Sequence, residues 1–413
     1  MPLRESVESV ESVESVVQTP SPAARTWLAE YATADPARLL LAAHRWPELP
    51  IRDLIAQLAA RQKARYKLPT WAGNLDLLFP PGLSVEQASS EATARFKASL
   101  VAGAGALADL TGGFGVDAWH FAQTVGQVTY GEQNPELAAL VAHNVARLGT
   151  ANLTIAPTTA ETWLAAATPD SFDWLYLDPA RRDGAGRRVA ALTDCSPNVP
   201  ALLPQLLRVA PTLLLKTAPL LDLTAATREL QTVREIIVVE LGGEVKEVLY
   251  VVGREAPTLP TRRAVLLASD GTVTGSFVPF TDAEEAAAPV TYGPPEAFIF
   301  EPAAAVLKAG ALRLPAARYN LRKLHPQSHL YTGSTAVAGW PGRQWRVRGL
   351  ARYDRRAAHT LVPEGRASIT ARHFPDEVPA IRKKLGFADG GSVTLLATTG
   401  PDGKPVLVAG ERE

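Results

Sequence analysis

The sequence holds one cysteine, Cys195, in 413 residues. That scarcity excludes an intrachain disulfide framework and a multi-cysteine zinc site, and it suits a reducing compartment, with the cytoplasm as the default expectation. No His or Lys lies near Cys195 in sequence to activate it, so it reads as an inert small residue rather than a nucleophile. A charge surplus is missing too: Lys plus Arg and Asp plus Glu each total 42, so charge points to no partner until it is resolved along the chain. No apolar run approaches the roughly 18 residues that span a bilayer. The opening MPLRESVESVES is polar where a signal peptide would carry an apolar core. The expectation is a chain that neither spans a membrane nor is exported, and no residue set reads as a metal site.

Hydrophobic residues make up 46% of the chain and charged residues 20%, the balance of a globular protein able to bury real cores. At about 150 residues per domain, roughly two to four folded units are expected. Residues 4–16 repeat Glu-Ser-Val, with acids at Glu5, Glu8, Glu11 and Glu14, and little there can pack, so 1–20 reads as a mobile tail. From Ala23 to Lys67 apolar residues recur at helical spacing, as in Ile51, Leu54, Ile55 and Leu58, with Arg61, Lys63, Arg65 and Lys67 at the far end. This predicts a helical region over 21–100.

Between Leu107 and Val252 apolar β-rich runs alternate with helical stretches, the pattern of a parallel sheet wrapped by helices. Strands are predicted at Leu107–Leu110, Val128–Gly131, Leu153–Ala156, Trp174–Leu177, Thr212–Leu215, Ile236–Glu240 and Val248–Val252. The last two are joined only by Gly242–Glu244, too short for a helical crossover, so they must pair antiparallel. Five βα steps and a hairpin make the doubly wound, seven-stranded α/β order of class I methyltransferases, placed at 101–253. After the Pro-rich APTLPT join come shorter elements over 254–345, with a strand at Phe298–Phe300 and a helix at Val306–Leu312. A compact α+β segment over 346–413 has a helix near Val378–Lys384 and a hairpin of Val393–Ala397 with Pro405–Val408.

Three strand ends carry the candidate chemistry. Ala108-Asp109-Leu110-Thr111-Gly112-Gly113-Phe114-Gly115 follows the first strand and opens a helix. Small residues there let backbone approach a ligand, and Asp109 can accept from an ammonium group such as that of S-adenosylmethionine. The second strand ends at Glu132, where a carboxylate can bind two ribose hydroxyls. The fourth ends in Tyr176-Leu177-Asp178-Pro179-Ala180-Arg181-Arg182, which places Asp178 beyond the carboxyl edge of the sheet, where ligands of open α/β folds bind. Gly113, Gly115 and Ala118 also satisfy the looser dinucleotide fingerprint, so a nicotinamide-dependent reductase is a competing reading. Asp109 ahead of the glycines, the terminal strand hairpin and the fourth-strand motif count against it. Each strand-tip acid has a plainer reading as a helix cap. Ser90 and Thr93 read either as closing over a cofactor or as a cap and helix surface. Lys216 reads either as a phosphate contact or as an ion pair with Asp222.

At Glu86-Gln87-Ala88-Ser89-Ser90-Glu91-Ala92-Thr93, at Asp109–Asp117, at Asp178–Arg182, at Leu215-Lys216-Thr217-Ala218-Pro219, at Trp340-Pro341-Gly342-Arg343 and at Thr370–Pro375, the sequence resembles the methyltransferases that carry a THUMP-like C-terminal domain. The resemblance covers most of residues 50–413. It implies a class I methyltransferase fold with a helical N-terminal part, a ferredoxin-like domain and a THUMP-like domain, and S-adenosylmethionine as cofactor. The methionine portion would rest on Asp109, Thr111, Gly112, Gly113 and Gly115. Glu132 would hold the ribose, and Ala160 and Glu161 would border the adenine. Asp178, with Pro179, would orient the methyl acceptor or take its proton, and Arg181, Arg182 and Lys216 would meet substrate phosphates. In amino-methylating enzymes the fourth-strand motif has a second proline and an aromatic. Ala180 and Arg181 stand there in this chain, so stacking of a base amine must come from elsewhere.

The charge pattern is an independent pointer to RNA. From Arg313 to Arg372 twelve Lys or Arg, among them Arg343, Arg346 and Arg348, face only Asp354 and Glu364, with Tyr319, Tyr331, Trp340, Trp345 and Tyr353 interleaved. Phosphate-neutralising and stacking groups mixed in this way suit nucleic acid. A solvated basic face is the plainer reading. The expected activity is S-adenosylmethionine-dependent methylation of RNA, at a base amine or ring nitrogen. A cofactor-binding, RNA-binding module without catalysis and a methyltransferase with a non-RNA acceptor are the alternatives.

Overall fold

The computed structural model describes residues 19–80, 82–181, 191–255 and 257–413. The expected tail therefore lies, but for its last two residues, outside the described residues. The chain forms two compact units: one takes it as far as Arg234, with Val248–Thr258 and Leu267–Thr272, and the other takes Glu235–Glu247, Leu259–Leu266 and Val273–Glu413.

Among the described residues the first unit begins with the α-helices α1 (Pro22–Glu30), α2 (Pro36–Leu41), α3 (Ile51–Ala64), α4 (Pro69–Gly73), α5 (Gly82–Gln87) and α6 (Glu91–Leu100). Ser21 and Asp35 cap α1 and α2, each followed by a proline that presets the first turn. The predicted stripe is real: Leu54, Ile55 and Leu58 of α3 pack with Trp27 and Leu28 of α1. The basic end of that stripe is not one patch, however. Arg61 is buried and donates to the carbonyls of Ala72, Asn74 and Leu77, and burial lowers its pKa to about 10.

Next comes the sheet: parallel strands β1 (Ala106–Asp109), β2 (Gln127–Gly131), β3 (Leu153–Ala156), β4 (Trp174–Leu177) and β5 (Thr212–Thr217), then β6 (Val233–Leu241) and β7 (Glu244–Gly253). Helices α7 (Val116–Phe121), α8 (Pro135–Arg147), α9 (Ala160–Ala166), α10 (Val199–Val209) and α11 (Leu223–Leu230) intervene. The order is β7-β5-β4-β1-β2-β3, with β7 antiparallel to β5. β6 and β7 turn at Gly242 and Gly243, both at positive φ (66° and 83°), where residues without a Cβ carry no steric penalty.

Beneath the β1–α7 bend lies a buried polar network. Lys97 of α6, with no exposed surface, sits 3.2 Å from Asp117 of α7 and donates to Ser89 at 2.9 Å. Ser89 and Tyr176 of β4 each donate to Asp117 at 2.7 Å. Burial alone would raise the Asp117 pKa, but Lys97, Lys216 and these hydroxyls bring it below the usual value. Nearby, Glu91 accepts from the backbone of Thr70 and Trp71, and Asn144 of α8 pairs with both backbone groups of Leu78, so the helical region is stitched to the sheet domain by hydrogen bonds as well as apolar contacts.

In the second unit, β8 (Thr261–Leu267) and β9 (Val273–Phe280) follow β6 in the order β9-β8-β6. A separate seven-stranded sheet is built from β10 (Phe298–Pro302), β11 (Arg322–Lys323), β12 (Tyr331–Gly333), β13 (Gly342–Arg352), β14 (Ser368–Arg372), β15 (Val393–Thr399) and β16 (Pro405–Arg412), in the order β11-β12-β10-β13-β16-β15-β14. β13 pairs with β10 on one side and with β16 on the other, so the two small C-terminal domains read from sequence share one continuous sheet. Helices α12 (Asp282–Ala287), α13 (Ala304–Ala309), α14 (Leu314–Tyr319), α15 (Arg355–Leu361) and α16 (Val378–Leu385) complete the unit.

Removing one member of a buried ion pair strands the other in low dielectric. Lys97→Met is expected to lower unfolding free energy by about 3 to 5 kcal/mol in chemical denaturation. A change below about 1 kcal/mol, the scale of an exposed pair, would show that Lys97 is not the buried partner of Asp117.

Candidate active site at the carboxyl edge of the sheet

The bend from β1 into α7 is a tight fit. A Cβ on Gly112 would lie 2.1 Å from the Tyr130 ring, and one on Gly115, itself at φ 79°, would lie 2.6 Å from Val141. Gly112 donates to the Gly131 carbonyl at 2.8 Å and the Tyr130 hydroxyl donates to the Gly113 carbonyl at 2.6 Å. The glycines thus let the bend lie against the end of β2.

Glu132 follows β2, one oxygen accepting from the Gly113 N–H at 2.9 Å and the other from Asn134 N–H at 2.8 Å. Asp109 accepts from Thr111 N–H at 3.0 Å. The Thr111 hydroxyl in turn accepts from Asp178 N–H at 2.6 Å, joining the ends of β1 and β4. The Asp178 carboxylate is in a close ion pair with Lys216 of β5.

Thr111, Glu132, Ala160, Glu161 and Asp178 line one cavity, together with Gln133, Thr158, Ser196 and Pro197, which sequence reading passed over. Asp109 stands one layer behind the wall and is 1% exposed. Burial pushes its carboxyl well above the usual range, Thr111 N–H opposes this, and Asp117, Asp178 and Glu132 add to it. A cationic guest next to that carboxyl would favour its charged form and so offset the shift.

Other sequence readings resolve differently. Ser90 is the N-cap of α6, accepting from Thr93 N–H at 3.1 Å, and Thr93 is buried. Neither borders the cavity. Lys216 does not pair with Asp222, which caps α11 through Ala225 N–H. Pro179 leads into a two-residue bridge, Ala180–Arg181 with Cys195–Ser196, and Arg182 lies outside the described residues. Cys195 is buried. Among the described residues no His, Cys, Asp and Glu group could hold a metal ion and no helix is long and apolar enough to cross a membrane.

Two lysines were given no role at the site by the sequence reading. Lys97 stands four residues before buried Val101 and three after buried Ala94, so its place on the apolar stripe of α6 was a usable signal. Lys67 donates to the Glu86 carbonyl at 2.6 Å, and its pKa falls to about 8 through burial first and Lys216 second. Only the tertiary fold brings Lys216 near it.

Family profiles match residues 298–341 as a ferredoxin-like domain and 342–412 as THUMP domain-like. No curated protein matches the chain. The crystal structure of a "putative methyltransferase" from Porphyromonas gingivalis W83 is 32% identical, with a TM-score of 0.83, over 94% of this chain and 97% of its own. The chain belongs to the family of class I methyltransferases with a THUMP-like domain. Further solved structures share only part of the fold. An rRNA methylase from Streptococcus thermophilus is 11% identical over 40% of this chain and 94% of its own, TM-score 0.29. A "putative methyltransferase" from Streptococcus mutans in complex with SAH is 11% identical over 40% and 96%, TM-score 0.28. Likenesses so slight carry no argument.

In this THUMP-like methyltransferase family member the three arginines expected to meet phosphate are already paired. Arg343 bonds Glu301, Arg346 bonds Glu413 and Arg348 bonds Glu411. The acids come from outside the 313–372 window in which the basic surplus was counted.

The sign of the Asp109 shift yields a test. A raised carboxyl pKa means folding favours the protonated form, so stability is lost as pH rises from about 4 towards the raised value and stays lower above it. Asp109→Asn removes that penalty while keeping the acceptor for Thr111. In ligand-free protein it is expected to raise the melting temperature at pH 7, the gain shrinking to nothing near pH 4. An equal effect at both pH values would contradict the electrostatic account.

Proposed function

We propose that the protein transfers the methyl group of S-adenosylmethionine to RNA, at a base amine or ring nitrogen. The observation that carries the cofactor is the cavity at the carboxyl edge of the sheet, walled by Thr111, Glu132 and Asp178 and backed by buried Asp109. Its residues fit the sulfonium nucleoside part by part. The buried Asp109 carboxyl behind Thr111, whose charged form a neighbouring cation would favour, suits the ammonium and sulfonium charges. Glu132 suits the ribose diol, and the close packing of Gly112 and Gly115 holds the bend that brings backbone to the ligand. The wall formed by Thr158, Ala160 and Glu161 suits the adenine. Bound there, the cofactor supplies an electrophilic methyl group.

The chain's own part is positioning. An ordered cavity holds nucleophile and methyl donor aligned, which accounts for much of the acceleration available to a transfer without a covalent enzyme intermediate. Asp178, anchored through its N–H to Thr111 and through its carboxylate to Lys216, accepts a hydrogen bond from the methyl acceptor and can take its proton. Because Lys216 already engages Asp178, it acts on the acceptor chiefly by holding that carboxylate. RNA as the acceptor is supported by the cations of the THUMP domain-like segment. The lone cysteine suits the reducing cytoplasm.

Calorimetry is expected to show binding of S-adenosylhomocysteine and none of NAD, with Glu132→Ala weakening the former at least tenfold, about 1.4 kcal/mol. Tight NAD binding without S-adenosylhomocysteine binding would remove the cofactor assignment. With labelled cofactor and RNA from a strain lacking the protein, label is expected in a modified nucleoside, reduced by about 100-fold or more in Asp178→Ala, the scale set for a positioned proton acceptor. Label in protein alone would remove RNA as the acceptor.

A further inference from the structure

Of the twelve cations between Arg313 and Arg372, eight are already engaged. Arg322, Arg343, Arg346, Arg348 and Arg372 pair with carboxylates. Arg313, Arg318 and Lys323 donate to backbone carbonyls. The other four, Arg352, Arg355, Arg356 and Arg366, are exposed and have no carboxylate partner among the described residues.

Two of the four, Arg355 and Arg366, flank one loop. Arg352 ends β13, and Arg355 and Arg356 open α15 after the capping Asp354. Arg366 bridges to Ala388, in the loop that follows α16. A Cβ at Gly386 would lie 2.8 Å from an Arg355 guanidinium nitrogen, and one at Gly390 would lie 3.8 Å from Arg366 Nη1. Two guanidinium groups therefore flank the stretch Gly386–Gly391, whose glycines 386, 390 and 391 all have positive φ (72°, 89° and 96°). Within it Asp389 is neutralised by Arg382. The N–H groups of Gly390, Gly391 and Ser392 have no protein acceptor among the described residues. Guanidinium groups without a carboxylate beside N–H donors without a protein acceptor are groups that can bind phosphate.

We propose that Arg355 and Arg366, flanking the Gly386–Ser392 loop, grip the phosphate backbone of the RNA. The inference rests on the RNA reading above and moves the contact from the paired arginines of β13 to the unpaired ones beside this loop. Arg343, Arg346 and Arg348 would have to give up a carboxylate before meeting phosphate and so gain less.

The test is equilibrium binding of labelled total RNA by the full chain across a salt series. The variant Arg355→Gln/Arg366→Gln is expected to bind at least tenfold more weakly at low salt. The slope of log affinity against log salt should fall in magnitude by about 1.4, from roughly 0.7 per phosphate contact on single strands. The corresponding double Lys variant should keep the slope, which separates charge from misfolding. Arg346→Gln/Arg348→Gln should change affinity less than threefold. RNA binding by the wild type with the same slope in the Arg355→Gln/Arg366→Gln variant would overturn this site and leave the RNA reading standing. No RNA binding by the wild type, even at low salt, would overturn both.

Discussion

The buried contact between Lys97 and Asp117 is the constraint on which the first unit is arranged. An ammonium without exposed surface is tolerated only where its partner is fixed and every remaining donor is used. That requirement sets the distance between α6 and α7, and through the Tyr176 hydroxyl it sets the height of β4 as well. α7 begins at the last glycine of the bend and β4 ends one residue before Asp178, so one charged contact fixes both ends of the cavity wall. Apolar packing alone, being non-directional, would allow small slides that an ion pair with two further hydroxyl donors does not.

A second layer of electrostatics sits above the first. Asp109, Glu132 and Asp178 are brought together by strand order, and the charges of Glu132 and Asp178 add to the upward shift that burial gives the Asp109 carboxyl. Lys216 pairs with Asp178 on the acceptor side, while among the described residues no cation pairs with Asp109 behind Thr111. The cavity is thus polarised along its length, cation-seeking at the β1 end and compensated at the β4 end. That division matches a ligand that brings positive charge at one end of the site and an acceptor that meets an organised ion pair at the other.

Features with short-range causes were legible in the sequence. The seven strands follow from apolar runs and the hairpin from its Gly-Gly turn, and the N-cap at Ser90 is a matter of neighbouring residues. Features made by long-range pairing were not. Glu411 and Glu413 are more than sixty residues from the arginines they neutralise, so a window count of charge overstated the free surplus on β13. The Lys216 partner lies 38 residues away on another strand, whereas sequence reading offered the nearby Asp222. The joining of the ferredoxin-like and THUMP-like segments into one sheet escaped notice because β13 was split by a domain boundary placed at 345.

The same reasoning explains why arginines, and not net charge, locate the outer surface of the second unit. A guanidinium in a carboxylate fork has spent its geometry as well as its charge, since the planar donors that would embrace a phosphate already embrace an acid. Glu301 shows this most fully: nearly buried, it takes both Arg343 and Arg372, and those arginines serve the junction of β10, β13 and β14. Basic residues in this unit therefore do two separate jobs in adjacent stretches of chain. Those along β13 hold the sheet together, and those beyond its end, where strand pairing stops and glycines expose the backbone, remain available to an outside anion.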